Sequence, residues 1–167
     1  MTRLSALVVA RNEEKQLADC LATLTFADEI VVVLDRCIDK SRQIAEKFKA
    51  HVIEGSWDIE GTRRNTGIDA ATGDWILEVD ADERVTPALA QEIKRVISHA
   101  PFGYFLIPYD NYIGRKLVRY GWGAQWGVSA TVRLFARGAK RWGEQRVHPK
   151  VEFKGEKAWL QERMVHY

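Results

Sequence analysis

The hydrophobic and polar positions of the first hundred residues follow two alternating patterns. Short runs of consecutive apolar residues are typical of strands covered on both faces, and the segments between them repeat apolar residues every three or four positions, as amphipathic helices do. The strands are predicted at residues 4–10, 29–34, 50–55 and 75–79. Strands that alternate with helices in this way form βαβ units, so this half of the chain is predicted to contain a parallel sheet.

Capping residues predict where the helices of this half begin. Asn12 is the predicted N-cap of the first helix, and Asp39 is the predicted cap of the second. A third helix is expected over residues 62–71. Thr86, followed directly by proline, predicts the N-cap and the first position of a fourth helix.

The second half of the chain is predicted to be rich in β-strands. Apolar and aromatic runs of strand length occur at residues 102–109, 130–136, 147–153 and 158–167. We expect these strands to pair antiparallel and to build one wall of a cleft. The whole chain, residues 1–167, is interpreted as one domain, in which the β-rich second half is a subdomain.

Polar side chains follow the strands of the predicted parallel sheet at the point where each strand ends. Right-handed crossovers place these ends on one edge, and ligands bind at that edge in open α/β sheets. The residues are Asn12 and Glu13 after the first strand, Asp35 after the second, Asp58 after the third, and Asp80 and Asp82 at the end of the fourth. We therefore expect Asp35 and Asp82 to open onto the same rim, with helix capping as the alternative role of Asp35.

The stretch ILEVDADERV, residues 76–85, ends a buried strand with the carboxylates of Asp80, Asp82 and Glu83. Like charges repel at such spacing, and desolvating them is costly unless a positive charge neutralises them. One hypothesis is a bound Mg²⁺ or Mn²⁺ ion whose shell is completed by substrate phosphates and water. Such an ion would stabilise a diphosphate leaving group. The alternative is a solvated turn.

The composition indicates the class of protein and the cellular compartment to expect. A chain of 167 residues with 46% hydrophobic residues fits one soluble domain, and a net charge of +2 gives no reason to expect a nucleic-acid partner. We expect no signal peptide and no membrane span, because no apolar run approaches the roughly 18–20 residues required. Cys20 and Cys37 lack metal-ligand spacing, which favours a reduced, cytoplasmic setting.

Four segments of the chain, in this order and spacing, resemble family 2 glycosyltransferases with the GT-A fold: VVARNEEKQLADCL, DEIVVVLDRCIDKS, RRNTGIDAATGDWILEVDADERVTP and VRLFARGAKRW. The chain is most similar to the lipopolysaccharide-core β-glucosyltransferase branch of that family. The resemblance implies an α/β fold, with a Rossmann-like, mostly parallel sheet flanked by helices and a smaller antiparallel, β-rich portion. It implies a single domain with a nucleotide-binding half (1–100) and an acceptor-side half (101–167). It also implies metal-dependent, inverting transfer from a UDP-sugar, with UDP-glucose expected, to a cell-envelope glycan or lipid-linked acceptor such as lipopolysaccharide core.

The resemblance also implies roles for particular residues. The residues that would contact the nucleotide are Val9, Arg11, Asn12, Glu13, Asp35, Arg64, Asn65 and Asp80. Among them, Asp35 would hydrogen-bond the base and Asp80 would face the ribose or a metal-bound water. Asp82 would ligate the metal and bridge to the diphosphate. Leu34 stands where many members of the family carry a further aspartate, which makes the identity of the base less certain.

The resemblance leaves open which residue serves as the catalytic base. The related branch often reads Val-His-Glu where this chain reads Val147, His148 and Pro149. Glu144 and His148 are the favoured substitutes, with Asp110 as a third. Two other functions stay open: a nucleotide-sugar-binding module that has lost its base, and a nucleotidyltransferase, which the absence of glycine from ARNEEK disfavours.

Several of these side chains also have a purely structural interpretation. Arg63 and Arg64 could form a solvated helix face instead of contacting phosphate. Trp122 and Trp126 could belong to the core or form a lip over a sugar. The basic segment 114–122 could lie on anionic lipid at the inner membrane surface, bind acceptor phosphates, or be a plain surface loop.

Overall fold

The computed structural model describes residues 1–114, 116–118, 129–146 and 149–167. The strands in these residues are β1 (Leu4–Ala10), β2 (Glu29–Asp35), β3 (His51–Gly55), β4 (Trp75–Asp80), β5 (Glu83–Val85), β6 (Gly103–Ile113), β7 (Lys116–Leu117), β8 (Ala130–Ala136), β9 (Lys140–Trp142), β10 (Val151–Phe153), β11 (Glu156–Trp159) and β12 (Met164–His166). The helices are α1 (Leu17–Ala22), α2 (Ser41–Lys47), α3 (Glu60–Ala70) and α4 (Pro87–Ile97). None of the helices in these ranges is long and apolar enough to span a membrane.

The first half forms the parallel sheet that the apolar runs predict. Strands β3, β2, β1 and β4 lie side by side in that order, and each neighbouring pair is parallel. All seven residues of β1 are buried, because β1 lies between β2 and β4 and α3 packs against it. Burial explains why β1 is a nearly continuous apolar run, whereas the edge strand β3 is partly exposed and carries His51 and Glu54.

The capping predictions have mixed outcomes. Thr86 caps α4 as predicted, since its hydroxyl accepts the Leu89 N–H at 3.1 Å. Asp39 lies one residue before the N-cap position of α2, although its carboxylate still accepts the N–H of the first helical residue at 3.0 Å. The Asn12 prediction is wrong: Asn12 has φ +55°, and its side chain accepts the Ile38 N–H, because the chain first makes a turn here and α1 begins at Leu17.

The second half only partly follows the predicted antiparallel pairing. Strand β8 is antiparallel to both β4 and β6, and β9 is antiparallel to β10. Strands β11 and β12 are instead parallel to β6, so the prediction is wrong for them. The chain bends at Gly155, which has φ +88°, and then follows β6 so closely that a Cβ on Gly103 would lie 2.1 Å from the Glu156 carbonyl oxygen.

Strand β12 determines what surrounds the DAD sequence. It lies between β6 and β5, with Met164 opposite Val85 and His166 opposite Glu83. The β4–β5 turn therefore contacts a segment from the other half of the chain. This pairing brings the acidic turn and the acceptor-side half into one site.

Candidate nucleotide-sugar site

The carboxyl ends of β2, β1 and β4 meet at one rim, as the sequence predicts. Leu34 pairs with Ala10, and Val9 pairs with Asp80, so Asp35 and Asp80 stand at the same edge with β1 between them. Neighbouring strands lie about 4.8 Å apart, which places the ends of β2 and β4 about 10 Å from each other. The rim is therefore wide enough for an extended ligand that contacts both ends.

Three other carboxylates act electrostatically on Glu13 at this rim. Burial raises the pKa of Glu13, and the negative charges of Asp82, Asp39 and Asp80 raise it further. These groups come from the loop before α2 and from the β4–β5 turn. A concentration of negative charge of this kind favours cation binding.

Asp82 faces a histidine that the sequence did not single out. The Nε2 atom of His166 lies 3.4 Å from Asp82 Oδ2, and both side chains are a little over one-third exposed. On its other side, His166 Nδ1 lies 2.9 Å from Asn111 Oδ1, an oxygen that can accept the Nδ1 proton and leave the Nε2 lone pair directed at Asp82. Only the register of β12 against β5 reveals this pair.

The Asp82–His166 pair fits a divalent cation that takes few ligands from the protein. Carboxylate oxygen suits Mg²⁺ and Mn²⁺, and imidazole nitrogen is a common partner for transition ions. No group of three or more His, Cys, Asp or Glu side chains within the described ranges has metal-binding geometry. A cation at this place would therefore complete its shell with phosphate and water oxygens.

Asp80 is held by two arginines instead of facing open solvent. Its Oδ1 accepts a hydrogen bond from Arg64 Nη1 at 3.2 Å, and its Oδ2 pairs with Arg133 Nη2. Burial opposes ionisation, but the two guanidinium groups lower the pKa of Asp80 to about 2. Arg64 is only 11% exposed, so the solvated helix face is wrong for this residue.

Glu78, two residues before Asp80 in β4, joins the same network. Its carboxylate accepts hydrogen bonds from Arg64 Nη1 at 2.7 Å and from Lys140 Nζ at 2.5 Å. Burial alone would raise the pKa of Glu78, but Lys140, Arg64 and Arg133 lower it to about 2. For Lys140 the balance is different, because burial and the repulsion of both arginines outweigh Glu78 and lower the pKa of the amine.

We expect this network to make the protein acid-sensitive. The depressed pKa of Glu78 contributes stability that is fully present above its usual value of 4.5 and is lost as the pH falls towards about 2. A difference of this size between the two pKa values corresponds to about 3 kcal/mol of unfolding free energy. Urea unfolding between pH 6 and pH 2.5 should show the loss, and the Glu78→Gln variant should show a flatter pH profile. An equally steep loss of unfolding free energy in Glu78→Gln would show that Glu78 is not the source of the acid sensitivity.

A cavity of about 550 Å³ lies beside this network, between the β6–β8 pair and the β9–β10 pair. Its charged wall includes Arg64, Asp80, Glu83, Arg133 and Lys140. The apolar and aromatic residues that line it are Leu106, Tyr109, Val132, Trp142, Val151 and Phe153. Charged groups beside an apolar and aromatic lining are typical of sites that orient a ligand by hydrogen bonds and hold it by packing.

Asp35, at the other end of the rim, is buried and is bound by three groups. It accepts the Trp57 N–H at 3.2 Å and a hydrogen bond from Arg63 Nη1 at 3.1 Å, and Arg36 Nε lies 3.2 Å away. None of these contacts is with the start of α2, so the capping alternative for Asp35 is wrong. Arg63 is only 20% exposed, which also excludes the solvated face for this residue.

The remaining predicted nucleotide contacts occupy different environments. Val9 is buried at the end of β1, whereas Arg11 and Asn12 are exposed just beyond it. Asn65 does not face the rim, because both atoms of its amide bind the backbone of Trp142, at 2.8 and 3.0 Å. The structure therefore places Asn65 as a link between α3 and β9.

The candidates for the catalytic base lie near or outside the described part of this region. Glu144 is exposed, two residues after Trp142, which lines the cavity. Asp110 binds Arg163 Nε at 2.6 Å. His148 lies outside the described residues, as do Trp122 and Trp126.

A close backbone contact fixes the segment that carries Glu144. A Cβ placed on Gly61, in the first turn of α3, would lie 1.9 Å from the carbonyl oxygen of Gly143. We expect Gly61→Ala to destabilise the protein by about 1–3 kcal/mol, because backbone atoms cannot move aside as a flexible side chain can. Urea unfolding measures the change. Thr62→Ala, at the next and exposed position of α3, is the control and should stay within about 0.5 kcal/mol of wild type.

Comparison with known proteins agrees with this geometry. Residues 5–156 match the family described as Glycosyl transferase family 2. An uncharacterized glycosyltransferase of Rickettsia felis is 29% identical over 99 residues, which cover 59% of this chain and 35% of the relative. The lipopolysaccharide core biosynthesis glycosyltransferase LpsC of Rhizobium meliloti is 23% identical over 162 residues, which cover 87% of this chain and 55% of LpsC.

The fold is also similar to that of a solved glycosyltransferase structure. The crystal structure of S. aureus TarS 1-349 in complex with UDP-GlcNAc matches with a TM-score of 0.58 and 25% identity, covering 68% of this chain and 36% of that chain. The sheet and its acidic rim define the class of protein, a glycosyltransferase of the GT-A fold. More particularly, the chain belongs to glycosyl transferase family 2. It spans between about a third and about half of the length of these relatives.

Proposed function

We propose that this chain binds a UDP-sugar and transfers the sugar, with inversion and with the help of a divalent cation, to a cell-envelope glycan. The observation that carries the proposal is the rim, where buried Asp35 stands at one end and the Asp82–His166 pair at the other. The expected donor is UDP-glucose, from the family resemblance. The TarS complex with UDP-GlcNAc supports a UDP-sugar as the class of donor.

The charge distribution of the rim suggests how the donor would lie. The base would approach Asp35, where backbone and arginine donors already surround the carboxylate, and the diphosphate would extend along the end of β1 towards Asp82. A diphosphate brought beside Glu13 and Asp82 adds further negative charge. The cation held by Asp82 and His166 would neutralise that charge and stabilise the diphosphate as it leaves.

The second half of the chain would hold the acceptor. The cavity of about 550 Å³ next to Asp80 offers carboxylate and cationic groups to hydroxyls and an aromatic surface to a sugar ring. In the transfer, the acceptor oxygen forms a bond to the anomeric carbon as the bond to the diphosphate breaks. The hydroxyl proton passes to a base, for which Glu144 and His148 are the candidates.

The acceptor and the location of the protein follow from the same proposal. The likeness to LpsC supports a lipopolysaccharide-core glycan, or a lipid-linked precursor, as the acceptor class. Nucleotide sugars of this kind are available in the cytoplasm, and a lipid-linked acceptor would bring the protein to the inner face of the membrane. The basic residues of segment 114–122 are the proposed contact with that surface.

Calorimetric titration of UDP, with and without Mn²⁺, tests the donor site. We expect UDP to bind and its affinity to rise by at least about tenfold when Mn²⁺ is present, because the cation links the diphosphate to Asp82. GDP is the matched control for recognition of the base. Absence of UDP binding, or binding of equal strength without the metal, would refute the proposed donor site.

A second function is favoured by one observation, the presence of Pro149 where the related branch often carries glutamate. On this alternative the chain binds nucleotide sugars without transferring them. Incubation of UDP-glucose with a high concentration of the protein separates the two functions. Slow release of UDP by hydrolysis indicates a working transferase site, whereas binding without any release indicates a binding module.

A further inference from the structure

Arg133 is a buried arginine of β8 that contacts both ends of the acidic turn. Its Nη2 atom donates to Asp80 and, at 2.5 Å, to Glu83 Oε1. Its Nε atom donates to the Tyr109 hydroxyl at 2.7 Å. The side chain is only 10% exposed, and these three hydrogen bonds go to buried or partly buried groups of the protein.

These contacts fix the turn from Asp80 to Glu83 at its two ends. Glu83 also accepts the Asp80 N–H at 2.8 Å, and Arg84 Nη1 donates to the Ala81 carbonyl at 2.8 Å. Asp82 lies between these fixed points and has a side chain that is 38% exposed and directed towards His166. The orientation of Asp82 therefore depends on the groups that hold its neighbours.

Arg133 bridges two carboxylates at the two ends of the turn. Its Nη2 atom donates to Asp80 and to Glu83 Oε1, so one guanidinium group links both side chains. Without this bridge the two carboxylates would repel each other. The repulsion would move the turn, because Glu83 also binds the Asp80 N–H.

We propose that Arg133 is a positioning residue for donor binding, which holds the Asp80–Glu83 turn in the conformation that presents Asp82 to the cation and the diphosphate. This inference rests on the proposed function. Arg133 acts through Asp80 and Glu83, not by touching the donor. An arginine is required because its planar fork reaches two carboxylates and a hydroxyl at once, whereas the ammonium of lysine is a single point charge.

The test compares the affinity for Mn²⁺ in the presence of saturating UDP with the affinity for UDP in the absence of metal, both by calorimetry on the 167-residue chain. For Arg133→Lys and Arg133→Met we expect the dissociation constant for Mn²⁺ to rise by roughly 10- to 100-fold, as for other groups that orient a metal ligand. The affinity for UDP alone should change less than about threefold. Tyr109→Phe, a milder change, should shift Mn²⁺ affinity in the same direction by a smaller factor.

Ile93→Ala is the control for general damage to the fold. Ile93 is a fully buried apolar residue of α4 that does not line the cavity. Its truncation should lower the midpoint of thermal unfolding, because it leaves a void in the core, and should leave the affinity for Mn²⁺ within about threefold of wild type.

Four results would overturn the inference. Unchanged Mn²⁺ affinity in both Arg133 variants and in Tyr109→Phe, which changes the packing least, would show that the turn does not need this contact. Wild-type Mn²⁺ affinity in Arg133→Lys would show that charge alone suffices. An equal loss of metal-free UDP binding would make Arg133 a direct donor contact. If the wild-type chain binds UDP without any effect of Mn²⁺, the proposed function fails first, and this inference fails with it.

Discussion

Asp82→Ala should abolish the effect of Mn²⁺ on UDP binding and reduce sugar transfer by roughly 100- to 1,000-fold, the size of effect seen when one group that stabilises developing charge is removed. The physical reason is that Asp82 is the carboxylate of the turn whose oxygen faces His166, whereas the oxygens of Asp80 are bound by Arg64 and Arg133. The measurements are UDP calorimetry with and without the metal, and turnover of UDP-glucose.

The control for this experiment is Asp69→Ala. Asp69 is an exposed carboxylate of α3 that pairs with Arg141 away from the rim. Asp69→Ala should leave the effect of Mn²⁺ on UDP binding and the turnover of UDP-glucose within about twofold of wild type. Wild-type metal dependence in Asp82→Ala would remove the basis for a cation at the β4–β5 turn, even if the family assignment stands.

Glu78→Leu should destabilise the protein by about 3–5 kcal/mol, because it leaves Lys140 buried without its carboxylate partner. Urea unfolding at neutral pH measures this change. The double variant Glu78→Leu/Lys140→Met replaces the pair with apolar groups and should recover at least half of the loss, since the cost lies in the unpaired charge. Equal instability of the single and double variants would show that packing volume, not charge pairing, dominates at this position.

The parallel half of the fold could be predicted from the sequence because its strands and helix starts are marked by residues that are neighbours in the chain. Strand β1 is buried throughout, so its apolar run is visible without knowing its neighbours. Thr86 and its following proline mark the start of α4 for the same reason. Asn12 misled the prediction because asparagine suits both a helix cap and a left-handed turn, and only the contact with Ile38 decides between them.

The candidate site could be predicted only as far as strand ends determine it. Asp35 and Asp80 share a rim because parallel strands end at one edge, which sequence reasoning can foresee. Arg133 and His166 could not be foreseen, because their contacts with the turn depend on the register of β8 and β12 across long stretches of chain. The parallel pairing of β12 with β6 likewise joins residues more than fifty positions apart, and no apolar pattern records it.

The position of β12 between β6 and β5 has a consequence for how the protein folds. Asp82 and His166 come together only after contacts between distant parts of the chain have formed, and such contacts are slow to form. A cation that binds both groups would add its binding energy to this late docking step alone. Bound manganese should therefore lower the unfolding rate more than it raises the refolding rate, and so increase the kinetic stability of the folded domain.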